Sequence, residues 1–269
     1  MRKFSVSFGL GSIYEHRDLL YSLVKREVEV RYRGSILGKM WVVIFPLMML
    51  GVYTFVFCGV FGSRWAGKGD MTDFVPMLYC GLIVHAIFSE TVGKAPSLIV
   101  NNPNYVKKVI FPLELLPVGS LFTALFNGAV GFGILVLMVL LFKHEIHWTL
   151  VFLPLVLLPL ILFAIGSAWL ISALGVFFRD VEQLIGVLMS MLLFLSPVFY
   201  SVESAPLIAQ KLLLINPLTY PIEDVRNVLI LGHLPHLWPW LTSMVASLIV
   251  AWAGLWVFEQ TRPAFADVV

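Results

Sequence analysis

The sequence has few charged side chains and only two cysteines among its 269 residues. Charged residues make up 13% of the chain, and the formal net charge is only +2. A charge this small argues against nucleic-acid binding, because the basic residues gather near the N-terminus rather than on one face. Cys58 and Cys80 lie in apolar runs without CxxC spacing, so they are interpreted as packing residues rather than as a disulfide framework or a metal site.

The sequence also lacks motifs for catalysis. It contains no GxSxG, HExxH or other combination of nucleophile and base, so no catalytic residue and no metal ligand is predicted. Gly62, Gly67 and Lys68 have the opening spacing of a phosphate-binding loop, but Gly69 replaces the Ser or Thr that would hold Mg²⁺. Because this match also follows an apolar helix rather than a strand, we interpret it as accidental. The chain is predicted to be no enzyme and to hold no cofactor of its own.

Long apolar runs are abundant instead. Hydrophobic residues make up 59% of the chain, and the mean hydropathy is +0.93. A helix needs roughly 20 apolar residues to cross a bilayer, and six runs come close to that length. The prediction is an all-α integral membrane protein with one transmembrane domain over residues 1–269. The predicted spans are residues 40–61, 74–93, 117–142, 149–176, 183–200 and 238–258.

The basic residues near the N-terminus predict the orientation. Arg31, Arg33 and Lys39 come immediately before the first span, and they would hold that end of the helix on the cytoplasmic side. Six spans then place both termini in the cytoplasm. The proline- and asparagine-rich loop between the second and third spans would also be cytoplasmic, and its residues 97–108 are expected to form a short helix parallel to the membrane.

Residues 12–33 predict an amphipathic interfacial helix. Its apolar residues share one stripe, and its charged residues lie on the opposite face. An amphipathic segment next to a span usually lies on the membrane surface, and a solvated charged helix is the alternative. The stripe consists of Leu20, Leu23, Val24 and Val28, and the charged face carries Arg17, Lys25, Arg26 and Glu29.

Several spans contain polar or small residues. The second contains His85, Ser89 and Glu90, and the spacing of Glu90 and Lys94 predicts an ion pair near the helix end. Small residues four apart let another helix approach closely, and they occur in the third and fourth spans. The small residues are Ala124 and Gly128, Ala129 and Gly133, and the series Ala164, Ala168 and Ser172.

Two apolar stretches before the last span are too short to cross a membrane. They cover residues 207–215 and 222–231. Backbone at membrane depth must be buried in protein or line water, so these stretches predict two short re-entrant or interfacial helices. Pro221, Glu223 and Asp224 are expected to begin the second helix and Gly232 to end it.

Several motifs, taken in their order along the chain, resemble those of a known family. The sequence reads RYRGSILG, FPLMMLGVYTFVFCGVFG, FFRDVEQ, SPVFY and NPLTYPIEDVRNVLILG. This set resembles the permease subunits of ABC exporters for lipid-linked polysaccharides over nearly the whole chain. It is most similar to O-antigen export permeases, followed by exporters of capsular polysaccharide and teichoic acid.

This resemblance implies a channel-forming permease of the bacterial cytoplasmic (inner) membrane. Two copies of the chain would bind two separate ATP-binding subunits, which hold ATP and Mg²⁺. The N-terminal helix and the loop after the second span would contact those subunits, and the two short helices would shape a periplasmic gate. The positions for ATPase coupling are Tyr14, Arg17, Arg31, Arg33, Asn104, Lys107 and Lys108. The gate and substrate path would use Phe199, Tyr200, Tyr220, Pro221, Glu223 and Asp224.

Two other classes of protein are alternatives to the exporter. A membrane-embedded acyltransferase would use His85 as a base oriented by Glu90, but five helical positions separate these residues by ~140°, which works against a contact. A secondary transporter or channel would be expected to show inverted repeats or buried charges near several midplanes, and neither is evident in the sequence.

Overall fold

A computed structural model describes residues 15–35, 37–62, 65, 70–107 and 111–268, and it assigns only helices and no strands in this part of the chain. The all-α prediction is therefore confirmed. The helices are α1 (Arg17–Tyr32), α2 (Trp41–Val60), α3 (Met71–Leu98), α4 (Pro103–Val106), α5 (Leu115–Lys143), α6 (Leu153–Phe177), α7 (Asp180–Leu195), α8 (Leu207–Leu213), α9 (Thr219–Arg226), α10 (Leu237–Thr261) and α11 (Phe265–Val268). A π-helical segment over Asn227–Leu231 prolongs α9.

Within the described residues, five helical segments are long and apolar enough to cross a membrane. They are Trp41–Val60, Met71–Leu98, Leu115–Lys143, Trp148–Phe177 and Leu237–Val268. Five of the six predicted spans therefore coincide with such segments, although α3 extends several residues beyond the predicted 74–93 at both ends. The capping box of Asp70 and Asp73 begins α3 at Met71 and explains the earlier start.

The predicted fifth span, 183–200, has different helix bounds. α7 has 16 residues, or ~24 Å of helix, which is less than the ~30 Å of a bilayer core. α7 ends at Leu195 because Ser196 precedes Pro197, and a residue before proline avoids the helical conformation. Ser196 is extended, with φ −99° and ψ 155°.

α7 and the residues after it lie alongside α3. The Met189 carbonyl of α7 lies 3.2 Å from His85 Nε2 in the middle of α3. Beyond α7, the Val198 Cα lies 3.0 Å from where a Cβ on Gly81 would be. The chain therefore runs from the middle of α3 towards its N-terminal end between Met189 and Val198.

The helices differ widely in burial. α3 is the central helix, since 72% of its most apolar stretch is buried, whereas only 6% of the corresponding stretch of α2 is buried. α6 and α10 pack at backbone distance, because a Cβ on Gly166 of α6 would come within 2.5 Å of the Ala251 Cα in α10. α3 and α6 also meet closely where Gly175 faces the backbone of Pro96.

Two of the three predicted small-residue contacts are confirmed. Ala124 and Gly128 are buried in α5, where a Cβ on Gly128 would come within 2.6 Å of the Ile87 side chain. The series in α6, Ala164, Ala168 and Ser172, is fully buried. The prediction for Ala129 and Gly133 is wrong within this chain, because both face outward on α5 and nothing lies near Gly133.

The N-terminal helix packs onto the bundle. α1 covers 17–32 of the predicted 12–33, while residues 12–14 lie outside the described residues. Its apolar stripe rests on α5, with Leu20 buried and Leu23 3.9 Å from where a Cβ on Gly119 would be. The short helix expected over 97–108 is only α4, because α3 continues through Pro96 as far as Leu98.

Candidate functional site

Charged side chains tie α1 to α3 at one end of the bundle, which we call the α1 end. Arg31 of α1 donates a hydrogen bond to Glu90 of α3. Lys94 lies one turn further along α3, with its Nζ 3.2 Å from Glu90 Oε1 and 2.7 Å from Glu27 Oε1 on α1. These side chains retain only 18–33% exposure, and their two positive and two negative charges cancel. Such pairing is expected of ionisable groups next to a membrane core.

Two polar side chains of α5 complete the cluster. Asn127 Nδ2 donates to both oxygens of Glu90, at 3.1 and 2.9 Å, and Thr123 Oγ1 donates to Glu27 Oε2 at 3.0 Å. Each carboxylate is therefore bound by two helices other than its own. Movement of α1 away from the bundle would break several charge-assisted hydrogen bonds. We call these six residues the ionic clamp: Glu27, Arg31, Glu90, Lys94, Thr123 and Asn127.

Replacing Glu90 with glutamine should destabilise the protein by about 1–3 kcal/mol, because Arg31 and Lys94 lose a charged acceptor in a poorly solvated place. The midpoint of thermal unfolding in detergent would measure this loss. Glu29→Gln is the matched control, since Glu29 is exposed on the opposite face of α1. Equal midpoints for the two variants would contradict a stabilising role of the clamp.

The loop after α3 also contacts α1. Arg26 Nη1 of α1 donates to the Tyr105 hydroxyl of α4 at 2.9 Å. Tyr105 in turn stacks on Phe111, with ring centroids 4.3 Å apart. A cavity of about 340 Å³ lies between α1 and this loop, lined among others by Leu23 and Asn101. α1, α4 and the beginning of α5 therefore form one connected surface at the α1 end.

The predicted coupling residues are distributed over this surface. Arg31 lies in the ionic clamp, whereas Arg17 and Arg33 are exposed in and just after α1. Asn104 and Lys107 are exposed in and just after α4. Two further predicted coupling residues lie outside the described residues, namely Tyr14 and Lys108.

Sequence reasoning missed three of the six clamp residues, namely Glu27, Thr123 and Asn127. Glu27 follows Leu23 by four positions, so it lies on the apolar stripe of α1, and a carboxylate there signals a partner in the bundle. Asn127 interrupts an apolar span in the same way as Glu90 and carries the same signal. The predicted Glu90–Lys94 pair is present, but it is one contact within a larger network.

The two short helices near the other end of α3, which we call the α9 end, differ in burial. In α8, Leu207 and Ile208 are 77% and 79% exposed, and Leu213 is buried. In α9, Ile222 and Val225 are fully buried. The prediction treated the two helices alike, but one is an exposed apolar helix and the other belongs to the core.

The predicted gate residues lie in two places, in α9 and in the segment after α7. Phe199 is buried and stacks on Phe57 of α2 with centroids 4.7 Å apart. Tyr200 donates a hydrogen bond from its hydroxyl to the Phe194 carbonyl at 3.2 Å. Tyr220 is partly buried at the start of α9, and Pro221 is buried. Phe199 is therefore a packing residue within one chain rather than an exposed surface for a sugar.

The predicted start of the second short helix is wrong by two residues. α9 begins at Thr219 rather than at Pro221, because the Asn216 side chain accepts a hydrogen bond from the Leu218 N–H at 2.9 Å and turns the chain there. Pro221 lies within the first turn, where a missing N–H is tolerated. Glu223 bonds to Arg226, and Gly232 ends the helix with φ 69°, as predicted.

Asp224 has a shifted pKa. Burial raises its pKa to about 6, and the hydrogen bond from the His236 N–H opposes this rise. A folded-state pKa above the unfolded value contributes stability below the unfolded pKa, and that contribution is lost as the pH rises through about 6. Asp224 therefore favours the folded α9 end in mildly acidic conditions.

A crevice of about 510 Å³ lies between α2 and the pair α3 and α5. Tyr53 and Phe45 form part of its α2 wall, and His85 and Glu90 lie on its α3 wall. His85 faces the backbone of α7, while Glu90 is bound by the ionic clamp. The two residues required by the acyltransferase alternative are therefore engaged with different partners.

Comparison with known proteins identifies the family. Residues 18–230 match the family described as ABC-2 type transporter, and they extend from α1 to the π-helical segment after α9. This match covers most of the chain. The chain belongs to the ABC-2 type transporter family. Both ends of the bundle described above, the ionic clamp and the α8–α9 pair, lie within the matched residues.

Relatives of this ABC-2 chain include O-antigen export permeases and a polysialic acid transport protein. The O-antigen export system permease protein RfbA of Myxococcus xanthus is 28% identical over 96% of this chain and 97% of its own length. A protein of the same name from Klebsiella pneumoniae is 22% identical over 98% of both chains. The polysialic acid transport protein KpsM of Escherichia coli is 25% identical over 79% of this chain and 81% of its own. The chain is thus a multi-pass membrane protein related to transport subunits rather than to enzymes.

Proposed function

We propose that the chain is the channel-forming permease of an ATP-driven exporter that moves lipid-linked, O-antigen-like polysaccharide across the bacterial cytoplasmic membrane. The observation that carries this proposal is the similarity to O-antigen export permeases over nearly the full length of both chains. ATP and Mg²⁺ are held by separate ATP-binding subunits. In this proposal the chain supplies the conduit, its gate and the surface that receives the movement of those subunits.

The conduit requires a second copy of the chain. The helices of one chain are tightly packed, as the backbone contact between Gly166 and Ala251 illustrates, and they leave little room for a sugar polymer. α2 is hardly buried, so it presents a largely free side. Two chains facing each other, with two ATP-binding subunits, would enclose a path without disturbing the packed core.

The proposed topology has six crossings and both termini in the cytoplasm. The five long helices account for five crossings. α7 with the residues after it forms the sixth, because this segment runs beside α3 towards its N-terminal end. The α1 end then faces the cytoplasm and the ATP-binding subunits, and α8 and α9 form the gate at the periplasmic side.

A capsular polysaccharide is the second candidate substrate. The similarity to a polysialic acid transport protein favours it, but that similarity covers a smaller share of both chains. Export of either polymer would use the same conduit. An acyltransferase is disfavoured, because His85 and Glu90 are engaged with different partners.

The permease purified alone should neither bind nor hydrolyse ATP. Co-expression with its cognate ATP-binding subunit should yield a complex of two plus two that hydrolyses ATP. Nucleotide binding to the single chain and the mass of the complex are the measurements. The control is the same complex with an ATP-binding subunit whose phosphate-loop lysine is replaced. ATP turnover by the isolated permease, free of contaminating ATPase, would contradict the proposal.

A further inference from the structure

Arg226 of α9 is fully enclosed by the protein. Its side chain is 1% exposed, although a guanidinium stays charged and carries five hydrogen-bond donors. Nε donates to the Met77 carbonyl at 3.1 Å, Nη2 to the Val198 carbonyl at 3.0 Å and Nη1 to Glu223 Oε1 at 2.8 Å. The group also lies 4.2 Å from the centre of the Trp65 ring. One side chain thereby joins α9 to α3, to the segment after α7 and to the loop before α3.

The surroundings of Arg226 are shaped to admit it. Gly81 of α3 leaves the necessary space, because a Cβ there would lie 3.1 Å from Arg226 Nη2 and 3.0 Å from the Val198 Cα. Ile222 packs fully buried against the same core. Separating α9 from α3 would expose this apolar surface and leave a charge without its partners, which is a costly combination.

α8 has no comparable attachment. Only Leu213 of this helix is buried, and Ile208 and Ile215 on either side of it are 79% and 81% exposed. Two side-chain hydrogen bonds hold the chain around α8: Gln210 in the middle of the helix donates to the Ala205 carbonyl before it, and Asn216 after the helix donates to the Ser196 hydroxyl at 2.9 Å. α8 can therefore be displaced without uncovering a buried charge.

We propose that Arg226 is a positioning residue that locks α9 to α3, so that α9 is the fixed frame of the outer gate and α8 is its moving part. This inference rests on the proposed exporter function and divides the predicted gate into two parts with different roles. Glu223 takes part as the carboxylate that neutralises Arg226.

Distances between spin labels can test this division. Cys58 and Cys80 are first replaced, and cysteines for labelling are placed in pairs at Met71 with Tyr220 and at Met71 with Ile208. The complex with the ATP-binding subunits is measured without nucleotide and with a trapped transition-state analogue. The distance from Met71 to Tyr220 should stay the same, while the distance from Met71 to Ile208 should shift. A shift of the Met71–Tyr220 distance as large as that of the Met71–Ile208 distance would overturn the inference.

Replacement of Arg226 provides a second test of the inference, and this test needs no nucleotide. Arg226→Lys keeps the charge but cannot reach all three acceptors, so it should broaden the Met71–Tyr220 distance distribution and increase ion leakage through the resting permease. Arg226→Met should do so more strongly, and Arg179→Met at an exposed position is the control. If Arg226→Met does not fold, the lysine variant decides. An unchanged distribution in a folded Arg226→Lys protein would overturn the positioning role.

The two tests separate the inference from the proposed function. If neither label pair responds to nucleotide in a complex that hydrolyses ATP, the exporter proposal and the moving role of α8 both fail. A broadened Met71–Tyr220 distribution in the lysine variant would then still support the lock between α9 and α3.

Discussion

Replacing Gly166 with leucine should abolish the folded protein. At this position α6 and α10 meet at backbone distance, and even a Cβ would lie within 2.5 Å of the Ala251 N and Cα atoms. Backbone atoms cannot rotate aside as a side chain can, so the two helices would have to separate along their interface. Close approach at small residues is a main source of helix association in membranes, and its loss removes that source here.

Size-exclusion chromatography of a fluorescent fusion in mild detergent measures this effect as loss of the monodisperse peak. Gly133→Leu is the matched control, because Gly133 lies on a membrane helix with nothing near its missing Cβ. We expect the control to give a folded yield close to that of the parent. A normal peak from Gly166→Leu would show that the α6–α10 crossing is looser than described.

Reversing the charge of Arg31 with the substitution Arg31→Glu should reduce export to background while the protein still assembles with its ATP-binding subunits. The new carboxylate would face Glu90 and Glu27, so the ionic clamp would lose its main contact between α1 and α3 and gain repulsion. Under the proposed function, movement received by α1 would no longer reach the spans. Surface polysaccharide in a strain lacking the native permease measures export.

The exchange variant Arg31→Glu with Glu90→Arg restores an opposite pair and should recover part of the export. Arg179→Glu serves as a control for a charge reversal at an exposed position elsewhere on the chain. Full export by Arg31→Glu alone would contradict the coupling role of the clamp. Loss of complex assembly in that variant would assign Arg31 to docking instead.

The long helices could be predicted from the sequence because bilayer thickness fixes their length. α2, α5, α6 and α10 begin and end within a few residues of the apolar runs. Gly232 could be predicted to end its helix, since the residue that follows a helix is commonly a glycine in the left-handed conformation. The end of α7 was readable in principle from Pro197, but continuing hydrophobicity obscured it.

Contacts between distant segments could not be predicted in the same way. Gly166 stands beside the small residues Ala164 and Ala168, and nothing local in the sequence shows that it meets the backbone of another helix. Arg226 was not among the predicted site residues, because its acceptors, including the Met77 carbonyl, lie far away in sequence. A buried charge is recognised by its partners, and one sequence does not reveal them.

The most direct test is translocation in proteoliposomes. The permease and its ATP-binding subunit are reconstituted together, lipid-linked O-antigen-like polysaccharide is supplied on the side of the ATP-binding subunits, and arrival of the polymer on the other side is measured. Translocation should require ATP and both subunits, and it should fail with the Arg31→Glu permease. Translocation by the permease alone, or translocation driven by an ion gradient without ATP, would contradict the account. A complete complex that hydrolyses ATP but does not translocate this polymer would also contradict it.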